Sequence, residues 1–468
     1  MTTDVNTRAL ALEMLMEVNE QGQYSHLVLR QVLEKYQYLD KKERAFLTRL
    51  FEGTVEKGIT LDYVINCFSK TKVKKMKPLI RNLLRMSVYQ LLYMDAVPDA
   101  AAINEAVKLA RKRGFSGLSG FVNGVLRTVA RKKQEIPWPK ESEDPVAFFS
   151  VRYSMPEWII EEWNRDYGRD KTLQILKGFS RETEETAEIH IGKTEESKGN
   201  LREEKETKLT VRTNLSRCTP EKLRRKLEVE GVQVEEIPEI PYAFAVSGFD
   251  YLAGLDSFTE GLFYVQDISS MMVAETAAPK RGDYVIDVCA APGGKSTHMA
   301  ELMQGTGMVE ARDLTEYKVG LMEENRIRHG LSNMQAVQMD ALVYDEASHE
   351  KADVLVCDLP CSGLGVMAKK TDIRYKMTRE KAQELALLQR QILNVVHDYV
   401  KPGGTLLYST CTIRKAENED NVNRFLSEHP EFSLEMMRQM YPGKVGNDGF
   451  FLAKLVKTST AKIKLLIH

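Results

Sequence analysis

The sequence has 468 residues, which is long for a single domain, so we expect two or three domains. No stretch approaches the ~20 consecutive apolar residues of a membrane-spanning helix, and the first residues lack the basic region and apolar run of a secretory signal. The formal net charge of −1 neither favours nor excludes a nucleic-acid partner, because phosphates bind to a local basic surface. We therefore expect a cytoplasmic protein that does not associate with membranes.

The cysteines are few and irregularly spaced. They are Cys67, Cys218, Cys289, Cys357, Cys361 and Cys411. No CxxC pair occurs, and the histidines stand away from the cysteines. This pattern argues against both a disulfide framework and a zinc site, so we expect no metal.

Residues 1–135 have apolar side chains at helical spacing throughout, which predicts an all-helical domain. The stretch PWPKESEDP then interrupts the pattern with prolines and charges and indicates a boundary. Residues 146–262 mix helical patterns with short strands such as KLTVRTNL, which predicts a small α+β domain. Within it, residues 192–207 contain almost no apolar side chains and are expected to form a flexible surface insertion.

Residues 263–468 alternate short β-rich runs with helical patterns. The β-rich runs are YVIDVC, GMVEARD, MQAVQM, DVLVCD and GTLLYST. Such alternation predicts a parallel sheet with helices on both faces. No repeat of ~20 to 50 residues is present, which excludes a solenoid.

A glycine-containing turn follows the first of these strands. Gly293 and Gly294 let the backbone approach a ligand closely, and the next helix begins with free N–H groups. Asp313, Asp340 and Asp358 follow later strands, where a carboxylate can accept from ribose hydroxyls or an adenine amino group. An isolated aspartate often only caps a turn, but three at equivalent places favour a nucleoside site. A dinucleotide site is disfavoured because the GxGxxG spacing is absent.

Two cysteines follow β-like runs, in DLPCSGLGV and YSTCTIRKAENE. A thiolate that adds to carbon 6 of cytosine makes carbon 5 nucleophilic toward a sulfonium methyl group. The reaction needs an activated thiol, an acid near the ring nitrogen and a base for the carbon-5 proton, roles that suit Cys411, Asp358 and Cys361 in that order. Cys289 and Cys357, placed within strands, are interpreted as small buried apolar residues.

The segments DVCAAPGGKSTH, DLPCSG and STCT resemble three signature motifs of the bacterial RNA cytosine methyltransferases of the RsmB/Sun family. The resemblance implies that Cys411 is the nucleophile, that Cys361 assists product release, and that Lys295 and Asp358 position and polarise the base. It also implies S-adenosylmethionine as cofactor. The family's cofactor contacts map onto Cys289, Ala290, Ala291, Pro292, Gly293, Gly294, Lys295, Asp313, Asp340 and Asp358.

The resemblance extends over most of the chain. Residues 1–135 look like a NusB-type RNA-binding domain, residues 146–262 like the family's small α+β (ferredoxin-like) RNA-binding domain, and residues 263–468 like a Rossmann-like class I methyltransferase domain. FYVQDISSMM resembles the opening of the catalytic domain and DGFFLAKL its closing strand. After Val366 the family shows arginines and a proline, whereas this chain has MAKKTDIRYK, in which Lys369, Lys370 and Arg374 retain positive charge.

The implied function is methylation of carbon 5 of one cytosine in 16S ribosomal RNA. The partner is RNA, either naked or in a small-subunit assembly intermediate, and nothing in the sequence requires more than a monomer. Two alternatives stay open. A transfer-RNA cytosine methyltransferase is disfavoured by the NusB-like domain, and an RNA-binding regulator with an inactive methyltransferase domain is disfavoured by the two cysteines.

Four basic clusters are candidates for phosphate contacts. They are Lys70, Lys72, Lys74, Lys75 and Lys77; Lys108, Arg111, Lys112 and Arg113; Arg127, Arg131, Lys132 and Lys133; and Arg224, Arg225 and Lys226. A run of charge is more often only a solvated surface, but the catalytic domain requires a polynucleotide, which favours RNA binding. Reaction at carbons 5 and 6 also requires an unstacked base.

Overall fold

The computed structural model of the protein describes residues 5–180, 208–443 and 448–458. Contacts divide the chain into two compact units, residues 1–202 with 367–376 and residues 203–366 with 377–468. The insertion predicted at residues 192–207 lies outside the described residues. Within the described ranges, no helix has both the length and the apolar character needed to cross a bilayer.

The first unit is helical, as predicted for residues 1–135. Its helices are α1 (Thr7–Glu20), α2 (Ser25–Lys35), α3 (Lys41–Glu56), α4 (Gly58–Phe68), α5 (Pro78–Tyr93), α6 (Asp99–Lys112), α7 (Ser119–Lys132), α8 (Pro145–Tyr153), α9 (Glu157–Tyr167) and α10 (Arg169–Phe179). The apolar faces of the first seven meet in one core that includes Leu47, Phe51, Leu83 and Leu126, all of them buried. The helical periodicity of the sequence thus becomes a single packed bundle.

Local sequence signals set several helix ends. The side chain of Asp40 accepts a hydrogen bond from the N–H of Glu43 at 2.7 Å and caps α3. Asp144 caps α8 in the same way, and Pro145 occupies the first helical position, where its missing N–H costs nothing. At the end of α6, Gly114 takes a φ of +84°, a left-handed conformation that favours glycine.

The second unit begins with a four-stranded antiparallel sheet. Its strands β1 (Leu209–Thr213), β2 (Gln233–Glu236), β3 (Ala243–Ser247) and β4 (Phe263–Val265) run in the order β2-β3-β1-β4, with helices α11 (Pro220–Val229) and α12 (Asp256–Thr259) beside them. Val211, Leu223, Phe244 and Phe263 are buried in its core. The segment predicted to open the catalytic domain therefore contributes β4 to this small sheet.

A seven-stranded mixed sheet forms the rest of the second unit. Its strands are β5 (Tyr284–Asp287), β6 (Met308–Asp313), β7 (Met334–Gln338), β8 (Ala352–Asp358), β9 (Val400–Thr410), β10 (Phe432–Met440) and β11 (Phe450–Lys457), in the order β10-β11-β9-β8-β5-β6-β7. The strands from β5 to β9 are parallel, as predicted, whereas β10 and β11 pair antiparallel at one edge. Strand β10 was not predicted, because Leu, Glu, Met, Arg and Gln, which favour helices, make up most of its sequence.

Helices cover both faces of this sheet, which confirms the predicted Rossmann-like arrangement. They are α13 (Ile268–Ala277), α14 (Gly294–Leu302), α15 (Glu316–His329), α17 (Arg379–Val396) and α18 (Glu419–Glu428). Met299 and Met322 pack on one face, and Ile392 and Phe425 pack on the other. The strand order reverses between β5 and β8, which is where open α/β sheets bind ligands at the carboxyl ends of their strands.

Residues 367–376, which include α16 (Ile373–Lys376), belong to the first unit. The Ser25 hydroxyl donates to Asp372 Oδ1 at 2.5 Å, and the Tyr375 hydroxyl donates to the Glu56 carbonyl at 2.5 Å. Arg374 is 2% exposed and its guanidinium donates to the Tyr153 carbonyl at 3.3 Å. Arg374 therefore retains its positive charge as a buried structural cation.

Candidate active site

The carboxyl ends of β8 and β9 bring the two predicted cysteines together. Cys361 lies three residues after the end of β8 and Cys411 directly follows β9. Their sulfur atoms are 3.0 Å apart, and both side chains are half-buried. The hydrogen bond with Cys411, followed by burial, raises the pKa of the Cys361 thiol well above its ordinary value. A close pair of this kind favours one thiolate and one thiol over two charged sulfurs.

A lysine–aspartate pair lies beside the cysteines. Lys295 Nζ donates to Asp358 Oδ2 at 2.6 Å, and the Ser409 hydroxyl donates to Asp358 Oδ1 at 2.7 Å. Burial lowers the pKa of Lys295, but the attraction of Asp358 outweighs burial and leaves the pKa raised. The nearby Cys411 sulfur acts on the pKa of Lys295 in the same direction, so Lys295 is a cation close to that sulfur.

The predicted glycine turn follows β5. Gly293 has a φ of +101°, a conformation that favours glycine, and its N–H donates to the Ala290 carbonyl at 2.7 Å. Gly294 begins α14, and a Cβ atom there would lie 3.0 Å from the Tyr264 ring. Cys289 lies in this turn, just after the strand rather than inside it, and burial raises the pKa of its thiol. Cys357 is buried within β8, as predicted.

Asp313 and Asp340 follow neighbouring strands but differ in environment. Asp313 is the last residue of β6, and its carboxylate accepts from the Ala291 N–H at 3.0 Å and from Lys318 Nζ at 2.8 Å. Asp313 is therefore joined to the glycine turn. Asp340 lies just after β7, is exposed, and accepts from the Leu342 N–H at 2.9 Å.

The sequence interpretation missed two buried carboxylates. Asp287 ends β5 and accepts from the Ser296 hydroxyl at 2.6 Å, while its other oxygen has no partner among the described residues. Burial raises the pKa of Asp287 to about 7. Its place at the carboxyl end of a strand, shared with Asp313 and Asp358, was the available signal. The second, Glu417, follows the Cys411 loop and is fully buried, and no pattern in the sequence indicated its role.

Backbone hydrogen bonds join the cysteine loops to a third segment. The Gly365 N–H donates to the Cys411 carbonyl at 2.9 Å, and the Gly449 N–H donates to the Gly365 carbonyl at 2.8 Å. A Cβ atom at position 365 would lie 1.7 Å from the Gly449 carbonyl oxygen. Glycine is required at this position because two backbones pass too closely for a side chain.

A group of potential metal ligands lies at the opposite end of β9. His397, His429 and Glu431 approach one another, with His429 Nδ1 3.4 Å from the Glu431 carboxylate. His397 precedes the first residue of β9, whereas Cys411 follows its last residue. This group is therefore separate from the cysteine site.

Two family models match the chain. A model for the 16S rRNA methyltransferase RsmB/F matches residues 274–456, and a NusB family model matches residues 5–131. The first includes the glycine turn and both cysteines, and the second includes the first seven helices except the end of α7.

Similar proteins extend over nearly the whole chain. A protein of Bacillus subtilis named probable ribosomal RNA small subunit methyltransferase B is 36% identical, over 97% of this chain and 99% of that protein. Ribosomal RNA small subunit methyltransferase B of Cronobacter sakazakii is 28% identical, over 98% of this chain and 100% of that protein.

Among solved structures, PH0851 superposes with a TM-score of 0.78 at 25% identity and covers 98% of this chain and 100% of its own. The structure of NSun6 from Pyrococcus horikoshii with SFG has a TM-score of 0.55 at 23% identity and covers 65% of this chain and 98% of its own. The second likeness supports the fold of the part that it covers.

Proposed function

Because the chain belongs to the RsmB/F family of 16S rRNA methyltransferases, we propose that it methylates carbon 5 of one cytosine in that RNA through a covalent bond to Cys411. The chain is an S-adenosylmethionine-dependent rRNA methyltransferase. The observation that carries the finer proposal is the pair of thiols, 3.0 Å apart, beside the ion pair of Lys295 and Asp358.

The thiol pair suits an addition–elimination mechanism. The Cys411 thiolate adds to carbon 6 of the cytosine, and the electron pair of the carbon 5–carbon 6 double bond becomes available at carbon 5. Bound S-adenosylmethionine supplies the methyl group that carbon 5 takes and leaves as S-adenosylhomocysteine. Once the Cys411 sulfur is bonded to carbon 6, it no longer shares a proton with Cys361, and the Cys361 thiol releases its proton to solvent. The Cys361 thiolate then removes the carbon-5 proton, the double bond forms again, and the bond between carbon 6 and the Cys411 sulfur breaks, so that Cys411 leaves as a thiolate.

Lys295 and Asp358 suit the pyrimidine ring during the addition. Negative charge develops on the ring when the thiolate adds, and a cation or a proton donor near the ring nitrogen or oxygen stabilises that charge. Lys295 also offers its positive charge to the Cys411 thiolate before the addition. Because Asp358 is held by Lys295 and Ser409, its carboxyl group keeps a defined direction.

The residues of the glycine turn suit the cofactor. The left-handed conformation of Gly293 turns the chain from β5 into α14. One oxygen of Asp287 is buried without a partner among the described residues, as expected of a group that binds a ligand. We assign the turn from Cys289 to Lys295 and Asp287 to the amino-acid end of S-adenosylmethionine. Asp313 is assigned to the ribose hydroxyls and Asp340 to the adenine amino group.

The division of labour along the chain is part of the proposal. We assign residues 1–135 to RNA binding and residues 263–468 to methyl transfer. Residues 146–262, which contacts divide between the two units, are assigned to assisting RNA binding. The NusB family match at residues 5–131 supports the first assignment. The reacting base must leave its stack to expose carbons 5 and 6, so the target lies in a loop or an exposed strand of folded RNA.

The test uses labelled S-adenosylmethionine and unmethylated small-subunit rRNA. We expect the label at carbon 5 of one cytosine with the wild type and no transfer with Cys411→Ala, because the nucleophile is absent. Cys361→Ala is expected to accumulate an RNA–protein adduct that survives a denaturing gel, because attack proceeds while release is blocked.

Cys67→Ala is the matched control, since Cys67 is an exposed cysteine of the first unit and should leave methyl transfer unchanged. Transfer by Cys411→Ala with loss in Cys361→Ala would mean that the two roles are exchanged. Label in transfer RNA but not in ribosomal RNA would contradict the substrate and leave the chemistry intact. A wild type that does not bind S-adenosylmethionine would indicate an RNA-binding regulator.

A further inference from the structure

A fully buried carboxylate connects the two cysteine loops. Glu417 lies in the short 3-10 turn Lys415–Glu417, between β9 and α18, and is 0% exposed. Glu417 Oε2 accepts a hydrogen bond from the Ser362 N–H at 2.8 Å. Ser362 directly follows Cys361. A residue from the segment that contains Cys411 therefore holds the backbone of the segment that contains Cys361.

A glutamine side chain also holds the Cys361 loop through hydrogen bonds. Gln389 Nε2 donates to the Pro360 carbonyl at 2.9 Å and to Glu417 Oε2 at 3.1 Å. Pro360 and Ser362 flank Cys361, so both neighbours of this cysteine are hydrogen-bonded to the pair formed by Gln389 and Glu417. Arg414 Nη1 lies 3.3 Å from Glu417 Oε1 and balances the buried negative charge.

Side-chain hydrogen bonds also connect the two cysteine loops. The hydroxyls of Ser362 and Thr412 are hydrogen-bonded at 2.8 Å. The Tyr408 hydroxyl lies within hydrogen-bond distance of two acceptors, the Glu417 carbonyl and Gln389 Oε1, the second at 3.0 Å, and its one proton is donated to either of them. The segments on each side of the thiol pair therefore share one hydrogen-bond network, with Glu417 at its centre.

We propose that Glu417 is a positioning residue that sets the distance between the Cys361 and Cys411 sulfurs by holding the Ser362 backbone. The proposal rests on the proposed function only for its consequence in catalysis. Glu417 acts through Ser362 and the loop, and its own carboxylate has its partners in Ser362, Gln389 and Arg414. The same geometry explains why a carboxylate without a place in the reaction is completely buried next to it.

Release of the product depends on this distance. Cys361 must reach the proton on carbon 5 while carbon 6 is still bonded to Cys411. The two sulfurs must therefore approach adjacent carbon atoms of the pyrimidine ring at the same time. A displacement of about 1 Å in such a geometry costs up to about a hundredfold in rate. Loss of Glu417 should therefore slow release more than it slows the attack by Cys411.

The first measurement needs no RNA. Phenylarsine oxide binds two thiols that lie close together, so its affinity reports the distance between the sulfurs. We expect Glu417→Ala to bind it about tenfold more weakly than the wild type. Once one thiol has bound the arsenic atom, the other thiol is farther away and has a lower effective concentration there. Glu417→Gln keeps an oxygen that accepts from the Ser362 N–H and should stay within about threefold of the wild type. Cys361→Ala gives the background of the other cysteines.

The second measurement follows the RNA adduct on a denaturing gel. Glu417→Ala should accumulate adduct, as Cys361→Ala does, and Glu417→Gln should restore release. Glu428→Ala is the matched control, since it removes a surface glutamate that pairs with Arg424 on α18. If Glu417→Ala does not fold, judged by melting and S-adenosylmethionine binding, Glu417→Asp takes its place, because the shorter side chain keeps the charge but withdraws from Ser362.

The outcomes separate the two ideas. Wild-type affinity for the arsenical in Glu417→Ala or Glu417→Asp overturns the positioning role, whatever the RNA result. Equal losses of attack and release in the variant, with no adduct, also overturn it, because they indicate a general loss of structure. An arsenical effect together with a wild type that methylates no RNA overturns the proposed function and keeps the positioning role.

Discussion

At the scale of single residues, burial decides what the acidic groups of the site can do. Asp287, Asp313 and Asp358 each end a strand, but only Asp287 keeps an oxygen without a partner among the described residues. Burial raises its pKa to about 7, against an ordinary value of 3.8. The folded protein therefore holds a proton on Asp287 at pH values at which the unfolded chain has released it. Stability contributed by this group falls as the pH rises from about 4 to about 7 and then stays constant.

Asp287→Asn should remove this pH dependence. Asparagine carries no charge to desolvate, so the melting temperature of the variant relative to that of the wild type should increase between about pH 4 and about pH 7. Above about pH 7 the variant should also bind S-adenosylmethionine more weakly, because an amide NH2 group replaces one of the two acceptor oxygens of the carboxylate. Melting curves across this range measure the first effect, and equilibrium dialysis measures the second. Asp95→Asn, at an exposed position, is the control, and a constant difference in melting temperature would contradict the assignment.

At the scale of elements, the cysteine site is built from loops that rigid strands hold in place. Strands β8 and β9 deliver Cys361 and Cys411 to one edge of the sheet, and Gly365 joins the two loops to the start of β11 through backbone hydrogen bonds. The close approach of Gly365 to Gly449 leaves no room for a Cβ atom. The position of Cys411 therefore depends on a residue that carries no functional group.

Gly365→Ala should reduce methyl transfer strongly. The added methyl group would overlap the Gly449 carbonyl, so the backbone that carries Cys411 must move. A shift of about 1 Å at a reacting atom reduces kcat by up to about a hundredfold. Steady-state kinetics with S-adenosylmethionine and RNA measure the effect. Gly320→Ala on α15, where a Cβ atom meets nothing within 4 Å, should keep full activity, and equal losses in both variants would contradict this explanation.

At the scale of the whole molecule, the net charge is −1, so RNA affinity must come from the distribution of charge. The basic clusters differ in their partners. Lys108, Arg113, Lys132 and Lys133 pair with Glu105, Glu13, Glu135 and Asp99. Arg224 and Lys226 also pair with glutamates. The cluster Lys70, Lys72, Lys74, Lys75 and Lys77 is exposed between α4 and α5 and takes part in no ion pair within the described ranges. Among the four clusters, this lysine cluster is the one in which no member forms an ion pair within the described ranges, so we favour it for phosphate contacts.

Replacement of the five lysines of this cluster by glutamine should weaken RNA binding and its dependence on salt. Each lost phosphate contact reduces the slope of log affinity against log salt by about 0.7 to 0.9. Binding measured between about 50 and about 200 mM salt gives the slope. The control replaces Lys108, Arg113, Lys132 and Lys133, whose charges are already balanced by acidic partners. A larger loss in the control variant would show that RNA binds elsewhere.

The sequence by itself determined most of the elements and singled out the two cysteines. The helices of residues 1–135, the strands from β5 to β9 and the glycine turn are all encoded by local periodicity and by residues with special backbone freedom, so a short window suffices to predict them. The cysteines were recognised by their place after strands, since the carboxyl ends of parallel strands share one edge of the sheet. The edge strand β10 was missed because most of its residues favour a helix, and its pairing with β11 overrides that local preference.

Only the tertiary structure decided distances and burial between residues far apart in the chain. Cys361 and Cys411 are 50 residues apart in sequence, and strand register brings their sulfurs to 3.0 Å. Packing made Arg374 a buried structural cation and made Glu417 a link between two loops. Local sequence specifies which conformation a segment prefers, whereas contacts between segments depend on how the sheet and its helices close around one another.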